Sequence, residues 1–330
     1  MPDRHGRPKS VSSSYYRTIP RRGFRYADRV VTRLRHERII GFALSGVTYL
    51  AAFGVAYAVV RLAGPLHPLA ETAVGTLTAT ILVFLVSMAA DNSSMYDPYW
   101  SLQPLGLAVY YLWTHHGGFD ARQILVAVLV FLYSARLTSN FFRDWPGLSK
   151  EDFRYVAFRR RFGKFYWLVS FWGVHLFPTV LVYLGCLPLY AVAQTDGAPF
   201  GWLDGLGTVV VLGAVILAFV ADEQLRRFRR DPANGGRHMN GGLWAYSRHP
   251  NYLGEIAFWW GLWLFALACE PAWWWSGVGA AAITLMFVFV SVPLMERRAA
   301  ATRPGYGGYR DSTPMLLPRL PARRRARELG

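Results

Sequence analysis

Ser247-Arg248-His249-Pro250-Asn251-Tyr252-Leu253-Gly254-Glu255 stands between a basic loop and a segment too apolar for water. Upstream, Arg226 to His238 carries Arg226, Arg227, Arg229, Arg230 and Arg237, interrupted by Pro232 and Gly235-Gly236. Downstream, Ile256 to Ala268 is almost wholly apolar. Pro250 suits the first turn of a helix, because the N–H it lacks is one that a helix start leaves unpaired anyway. The N–H groups that follow form a partly positive end, suited to a phosphate or a carboxylate. Glu255 lies one turn further in, where a carboxylate is costly unless something pairs with it. The stretch therefore predicts a helix that begins at a membrane surface and carries a polar binding site at its start.

The rest of the chain follows from that segment. Of its 330 residues 53% are hydrophobic, and they come in blocks of about 20, the length that spans a hydrocarbon core as a helix. Eight blocks are expected, at 39–63, 71–90, 102–116, 121–142, 166–193, 203–222, 252–270 and 273–295, the third being short. Barrel strands would be nearer ten residues with a period of two. The expected fold is all-α, a polytopic membrane bundle of about eight transmembrane helices. Residues 1–38 form a basic N-terminal segment, 39–318 one transmembrane domain with its cofactor half at about 203–318, and 319–330 a basic tail.

The net charge of +16 raises the possibility of nucleic acid. A cytoplasmic start, however, places all but Arg61, Arg122 and Arg136 of the 36 Lys and Arg residues on the inner side. Such asymmetry is the positive-inside rule rather than a nucleic-acid footprint. Both termini are expected in the cytoplasm, the partners are the bilayer and a lipophilic small molecule, and Arg-rich composition favours a bacterial cytoplasmic membrane. No secretory signal is expected ahead of the first span. Cys186 and Cys269 lie in or beside apolar segments and offer neither a disulfide framework nor metal-ligand spacing.

Several local features are expected. Phe24 to Arg38 suits a basic amphipathic helix on the inner leaflet. The segment 144–164 should include a short interfacial helix, and Pro178 should kink the fifth span. Trp202 and Trp273 to Trp275 read as an interfacial belt. His175 reads as a packing histidine. Orientation brings the remaining polar residues together: Asp97 in the turn before the third span, Arg136 and Asn140 on one face of the fourth, Asp222 and Glu223 closing the sixth, Glu255 opening the seventh and Glu296 closing the eighth. Charges inside a membrane usually face a cavity and each other. One cytoplasm-facing cavity is expected, with Arg at its mouth and apolar walls deeper in.

The run Ala221-Asp222, Gln224, Arg227-Phe228, Asp231-Pro232-Ala233-Asn234, Gly241-Gly242-Leu243-Trp244, Tyr246 to Tyr252, Gly254-Glu255 and Trp259-Trp260-Gly261 resembles the steroid 5-alpha-reductase-like membrane proteins. The likeness is greatest to their bacterial branch of unknown function. It continues through Asp152, Arg154-Tyr155, Phe162-Gly163-Lys164 and Trp167, and through Pro293-Leu294, Glu296, Pro304-Gly305-Tyr306 and Tyr309, covering about residues 90–318. The Arg-His-Pro core also occurs in sterol Δ14-reductases and in isoprenylcysteine carboxyl methyltransferases.

The resemblance implies an NADPH-dependent reduction of an activated carbon–carbon double bond in a lipophilic substrate. By it, Asn251 and Glu255 lie along the nicotinamide and ribose. Arg230 and Arg248, with Asp222 or Glu223, take phosphate and ribose contacts, and Glu296, Arg297 or Arg298 and Tyr309 close the pocket. The motif residues Arg227, Tyr246, His249 and Tyr252 complete the expected cofactor set. The glutamate and tyrosine that polarise the carbonyl in steroid reductases have Asp97, with Tyr96 or Tyr99, as candidates here. Asn140 stands at the position matched to the tyrosine, a departure that puts a steroid substrate in doubt. Two other classes remain open: an S-adenosylmethionine-dependent methyltransferase, and a lipid-binding membrane protein without catalysis.

Overall fold

Every regular element among the described residues is helical. The computed structural model describes residues 24–114, 120–195 and 199–319, with side chains from Arg38 onward. Residues 1–23 and the tail 320–330 lie outside the described residues. The helices are α1 (Phe24–Leu62), α2 (Pro68–Ala89), α3 (Tyr99–Thr114), α4 (Ala121–Asp144), α5 (Phe153–Phe162), α6 (Tyr166–Val169), α7 (Phe177–Gly185), α8 (Leu187–Gln194), α9 (Trp202–Arg230), α10 (Pro250–Cys269), α11 (Val278–Met286), α12 (Val292–Thr302) and α13 (Tyr306–Ser312).

Among the described residues, seven segments are long and apolar enough to cross a membrane: Arg38–Leu62, Pro68–Ala89, Ala121–Asp144, Phe153–Gln194, Trp202–Arg230, Pro250–Cys269 and Pro271–Thr302. The eighth expected span is α3, a helix of 16 residues, short of the roughly 20 that a hydrocarbon core requires. The spans turn large apolar side chains outward: Leu50, Val209, Ile216 and Phe289 are each at least 60% exposed. Such surfaces suit lipid rather than water, and the protein is a multi-pass membrane bundle. Trp202 and Trp274 are likewise exposed at helix starts, as expected of an interfacial belt.

Two expectations change in detail. Phe24 to Arg38 is helical but runs unbroken into the first span, so it forms no separate interfacial helix. The interfacial helix expected in 144–164 is α5, capped by the Asp152 carboxylate, which accepts from Arg154 N. Pro178 acts as anticipated, though through a widened turn. It has no N–H for the carbonyl of Val174, four residues back, and the helix passes through a π-helical stretch, Ser170–Leu176, just before it. A second π-helical stretch, Phe287–Ser291, precedes Pro293 in the same way.

The pairing that positions the site is α9 against α10. Small residues let the two backbones close in, as is common where lipid supplies no hydrophobic drive between helices. A Cβ on Gly254 would come within 2.7 Å of the Ala214 carbonyl oxygen, and one on Gly261 within 2.5 Å of Val211 Cγ2. Phe258, Trp259, Leu262 and Phe265 of α10 fill the main core with Tyr133 of α4 and Ile283 of α11. At the opposite end of α4 and α9 from the site, Arg122 and Asp204 form a fully buried ion pair, Nε to Oδ1 at 2.6 Å. Gly261→Leu is expected to force α9 and α10 apart and to cost about 1–3 kcal/mol, read as a lowered unfolding temperature in detergent.

Candidate functional site

α10 begins at Pro250, as its sequence predicts, and His249 caps it without a side-chain bond to the helix N–H groups. One turn in, the Glu255 carboxylate is buried and accepts from Tyr133 OH at 2.8 Å and from the Arg136 guanidinium. Tyr133 is held for this by its ring, stacked on Phe258 at 3.6 Å. Arg136 also donates to Asp222 Oδ2 at 3.1 Å. Asp222 accepts further from Asn140 Nδ2 at 3.1 Å and, through Oδ1, from Asn251 Nδ2 at 3.0 Å. One guanidinium thus serves two carboxylates, with side-chain exposures of 6% for Arg136, 14% for Asp222 and 7% for Glu255.

A second arginine braces this arrangement from the α9 side. Arg226 donates to Asn140 Oδ1, to Glu223 Oε2 at 2.9 Å and to Asp144 Oδ1 at 3.2 Å. Glu223 also accepts from Arg143 and Arg227, each at 3.1 Å. Two buried polar atoms of the inner cluster have no partner: the acceptor Asn251 Oδ1 and the donor Arg136 Nε. They flank Asp222, since both side chains donate to it. An orphaned donor and an orphaned acceptor on side chains that share Asp222 are costly unless a ligand meets them.

The surrounding charge is positive. Arg229 lies within electrostatic reach of Arg303, of the Asp144 and Asp222 carboxylates and of Tyr252. Arg303 is held below its usual pKa, chiefly by burial and further by neighbouring Arg298. The Arg298 guanidinium lies 3.4 Å from the centroid of the Phe153 ring. His238, stacked on Tyr309 at 5.0 Å, is also pushed down, by burial first and then by Arg303 and Arg237. Arginines gathered in one place favour an anion there.

The C-terminal segment is clasped onto the start of α10. Arg248 Nε donates to Glu296 Oε1 at 2.7 Å, and Nη1 donates to the carbonyls of Arg310 (2.7 Å) and Thr313. His249 Nε2 lies 3.1 Å from the same Glu296 oxygen, and its ring stacks on Tyr252 at 5.3 Å. Tyr309 OH donates to the Trp244 carbonyl at 2.6 Å.

Asp97 stands in a separate cluster. It accepts from Tyr155 OH at 2.5 Å, with Arg154 Nη2 at 3.8 Å. Burial pushes its pKa up to about 7, against the lowering pull of Arg154. Tyr252 links the two clusters, being within electrostatic reach of Arg154 on one side and of Asp222, Arg229 and Glu255 on the other.

The expected residues therefore fall into four groups. Asp222, Asn251, Glu255 and Asn140 meet around Arg136, so Asn140 stands with the Asp222 and Glu255 carboxylates rather than with Asp97. Arg248, His249, Glu296 and Tyr309 form the clasp, with Tyr252 stacked beside it. Tyr96 and Tyr99 are fully buried, with their hydroxyls bonded elsewhere than Asp97: Tyr96, still within electrostatic reach of Asp97, bonds Thr179 Oγ1 at 2.9 Å, and Tyr99 OH reaches Thr80 Oγ1 at 3.4 Å. Arg227, Arg230, Arg297 and Arg298 are exposed, as is Tyr246, whose carbonyl accepts from Arg319 N at 3.1 Å. His175 is a buried packing residue with Nδ1 3.0 Å from the Ser170 carbonyl oxygen. Tyr133, Tyr155, Arg226, Arg229 and Arg303 belong to these clusters without having been singled out from sequence. Tyr133, Arg136 and Asn140 do recur at i, i+3 and i+7, one helical face, and that spacing could have found the first. Among the described residues no group of His, Cys, Asp and Glu could hold a metal ion.

No solved structure matches the chain. An uncharacterized protein of Schizosaccharomyces pombe is 31% identical over 276 residues, which cover 75% of this chain and 79% of the yeast protein. That relative is fungal and lends no support to a bacterial membrane. Residues 83–313, which contain the Arg136, Glu296 and Asp97 clusters, match the family model described as a protein of unknown function (DUF1295), and the chain belongs to that family.

Proposed function

We propose that the protein is an NADPH-dependent membrane oxidoreductase that reduces an activated carbon–carbon double bond in a lipophilic substrate. The carrying observation is the orphaned pair, Asn251 Oδ1 and Arg136 Nε, on either side of Asp222. A primary carboxamide offers one donor and one acceptor, the complement of that pair, and a nicotinamide carries one. Nearby Asp222 and Glu255 suit ribose hydroxyls, as an acidic residue does in other dinucleotide sites. Arg229, Arg298 and Arg303 suit the phosphates, including one at the 2′ position. The steroid 5-alpha-reductase-like resemblance points the same way.

When bound, the cofactor would supply a hydride. The chain's own residues hold it, exclude water and provide a proton. Asp97 fits the last role, because a carboxyl raised to about 7 is still partly protonated at neutral pH. Tyr155, donating to Asp97 Oδ1, fixes that carboxyl in place. Clustered arginines serve a polyphosphate better than a sulfonium cation, which argues against the methyltransferase alternative. Mass spectrometry of cofactor carried through purification tests the reading: a nicotinamide dinucleotide is expected, and S-adenosylmethionine or its homocysteine product would replace the proposal.

The Asp97 role has a pH signature. Its protonated form dominates below about pH 7, so turnover should fall as pH rises through that value. Asp97→Asn should lower turnover by roughly 100- to 1,000-fold, the scale of losing one transition-state donor, and should remove that limb of the profile. Steady-state rates from pH 5.5 to 9 read both effects. The same raised pKa means that the folded state holds more protons than the unfolded between about pH 4 and 7, so stability should decline across that window and less so in the variant.

A further inference from the structure

A cavity of about 570 Å³ lies between α1, α2 and α3, outside the charged clusters, and its volume is that of a small-molecule site. Phe53, Ala56, Val60, Gly75 and Leu107 give it apolar walls, and no Lys or Arg lines it. From Leu102 to Trp113 its α3 wall rises roughly 16 Å. Tyr57, Val109 and Trp113 line it while also being exposed, and on these helices exposure means lipid, so the cavity communicates with the bilayer. Glu71 at this end is already engaged, accepting from Tyr110 OH at 2.7 Å.

The other end is polar and rigidly built. Gln103 is 2% exposed, and its Nε2 donates to the Thr179 carbonyl at 3.2 Å. That bond fixes which end of the amide is which and leaves Oε1 buried without a donor. Behind it, the hydroxyls of Tyr99, Thr80, Thr179 and Tyr96 form a chain with steps of 3.4, 3.2 and 2.9 Å. Tyr99 and Gln103 both line the cavity, so the residue that carries the unsatisfied acceptor belongs to its wall.

We propose that this cavity binds a lipid alcohol: a long apolar body that enters from the bilayer and donates its single hydroxyl to Gln103 Oε1. A ketone or ester has no proton for that acceptor, and a carboxylate would lie unpaired in a site without a cation. The site requires neither NADPH nor reduction.

The test uses the full chain in lipid nanodiscs, with a photoreactive long-chain primary alcohol and its methyl ether as probes. The alcohol should label peptides of 53–60, 71–79 and 99–113 saturably, and unlabelled alcohol should displace it. The ether should bind at least tenfold more weakly. Gln103→Leu should weaken the alcohol about tenfold and leave the ether unchanged. Should that variant fail to fold, the alcohol-to-ether ratio on the native chain still decides, as does Ala56→Phe, which fills the cavity and should abolish labelling. Equal binding of the two probes, stronger binding of the matched fatty acid, or labelling confined to other helices would overturn the proposal. NADPH titration of the same nanodiscs reports on the reductase reading separately, so either can fail alone.

Discussion

Arg136→Leu is expected to destabilise the folded bundle by about 3–5 kcal/mol, the cost of leaving a buried charge without its partner. The reason is the sharing of one cation. Asp222 and Glu255 both rest on that guanidinium, and Asn140, Asn251 and Tyr133 are oriented by the two carboxylates they donate to. Removing the arginine leaves two adjacent carboxylates facing each other in an apolar bundle, where neutralisation by proton uptake is the remaining relief. Arg136→Lys keeps the charge but cannot reach both acids with a planar fork, so an intermediate loss is expected. Unfolding in mixed micelles with rising denaturant reads the series. An unchanged midpoint in Arg136→Leu would mean that the carboxylates are not ion-paired in the folded protein.

Asn251→Ala is expected to do the opposite, sparing the fold and removing the ligand. Asn251 lies at the start of α10, where it donates one hydrogen bond to Asp222 and leaves its own acceptor free. Asp222 keeps two other donors, Arg136 and Asn140, so the folded state loses little. A bound carboxamide would lose its acceptor, at a cost of roughly 1.5–3 kcal/mol for hydrogen bonds tied to a charged group, or about ten- to 150-fold in affinity. Glu255→Gln should also abolish cofactor binding, since it removes one of the two carboxylates that hold Arg136 and so misplaces the orphaned donor on that side chain. NADPH protection in a thermal-shift titration distinguishes binding from folding in both variants. Undiminished protection in Asn251→Ala would detach the residue from the cofactor.

The sequence was most informative where length and composition alone decide. Apolar blocks and the proline opening of α10 each carry a local signature, and the helices cover those blocks, although the sixth expected span runs on to Arg230 and the eighth to Thr302. α3 is the exception in kind. Its residues are apolar enough, but the helix has only 16 of them, and no composition rule says how deep such a helix sits. Site membership was legible when it rested on one helix, as with Arg136 and Asn140. It was obscured when it depended on the rotation of one helix against another. Arg229 differs from Arg227 and Arg230 only in helical phase, and nothing local says which of the three faces Arg303. Tyr96 and Asp97 are adjacent, yet the short 3₁₀ turn Ser93–Tyr96 sends the tyrosine into the core and Asp97 toward Tyr155. The expected single cavity over the charged cluster likewise depended on packing: the cavity described above lies between α1, α2 and α3, where Gly75 and Gly106 meet the small and aromatic residues of α1.

The central claim is that α9, α10 and the C-terminal clasp build a binding site for a phosphorylated nicotinamide dinucleotide. Equilibrium binding of NADPH and of NADH to the purified full chain in nanodiscs, followed by nucleotide fluorescence, tests it most directly. Saturable binding is predicted, tighter for NADPH, with that preference lost in an Arg229→Ala, Arg303→Ala double variant and all binding lost in Glu255→Gln. Absence of saturable binding by either nucleotide to the native chain, or binding that Glu255→Gln leaves intact, would contradict the account.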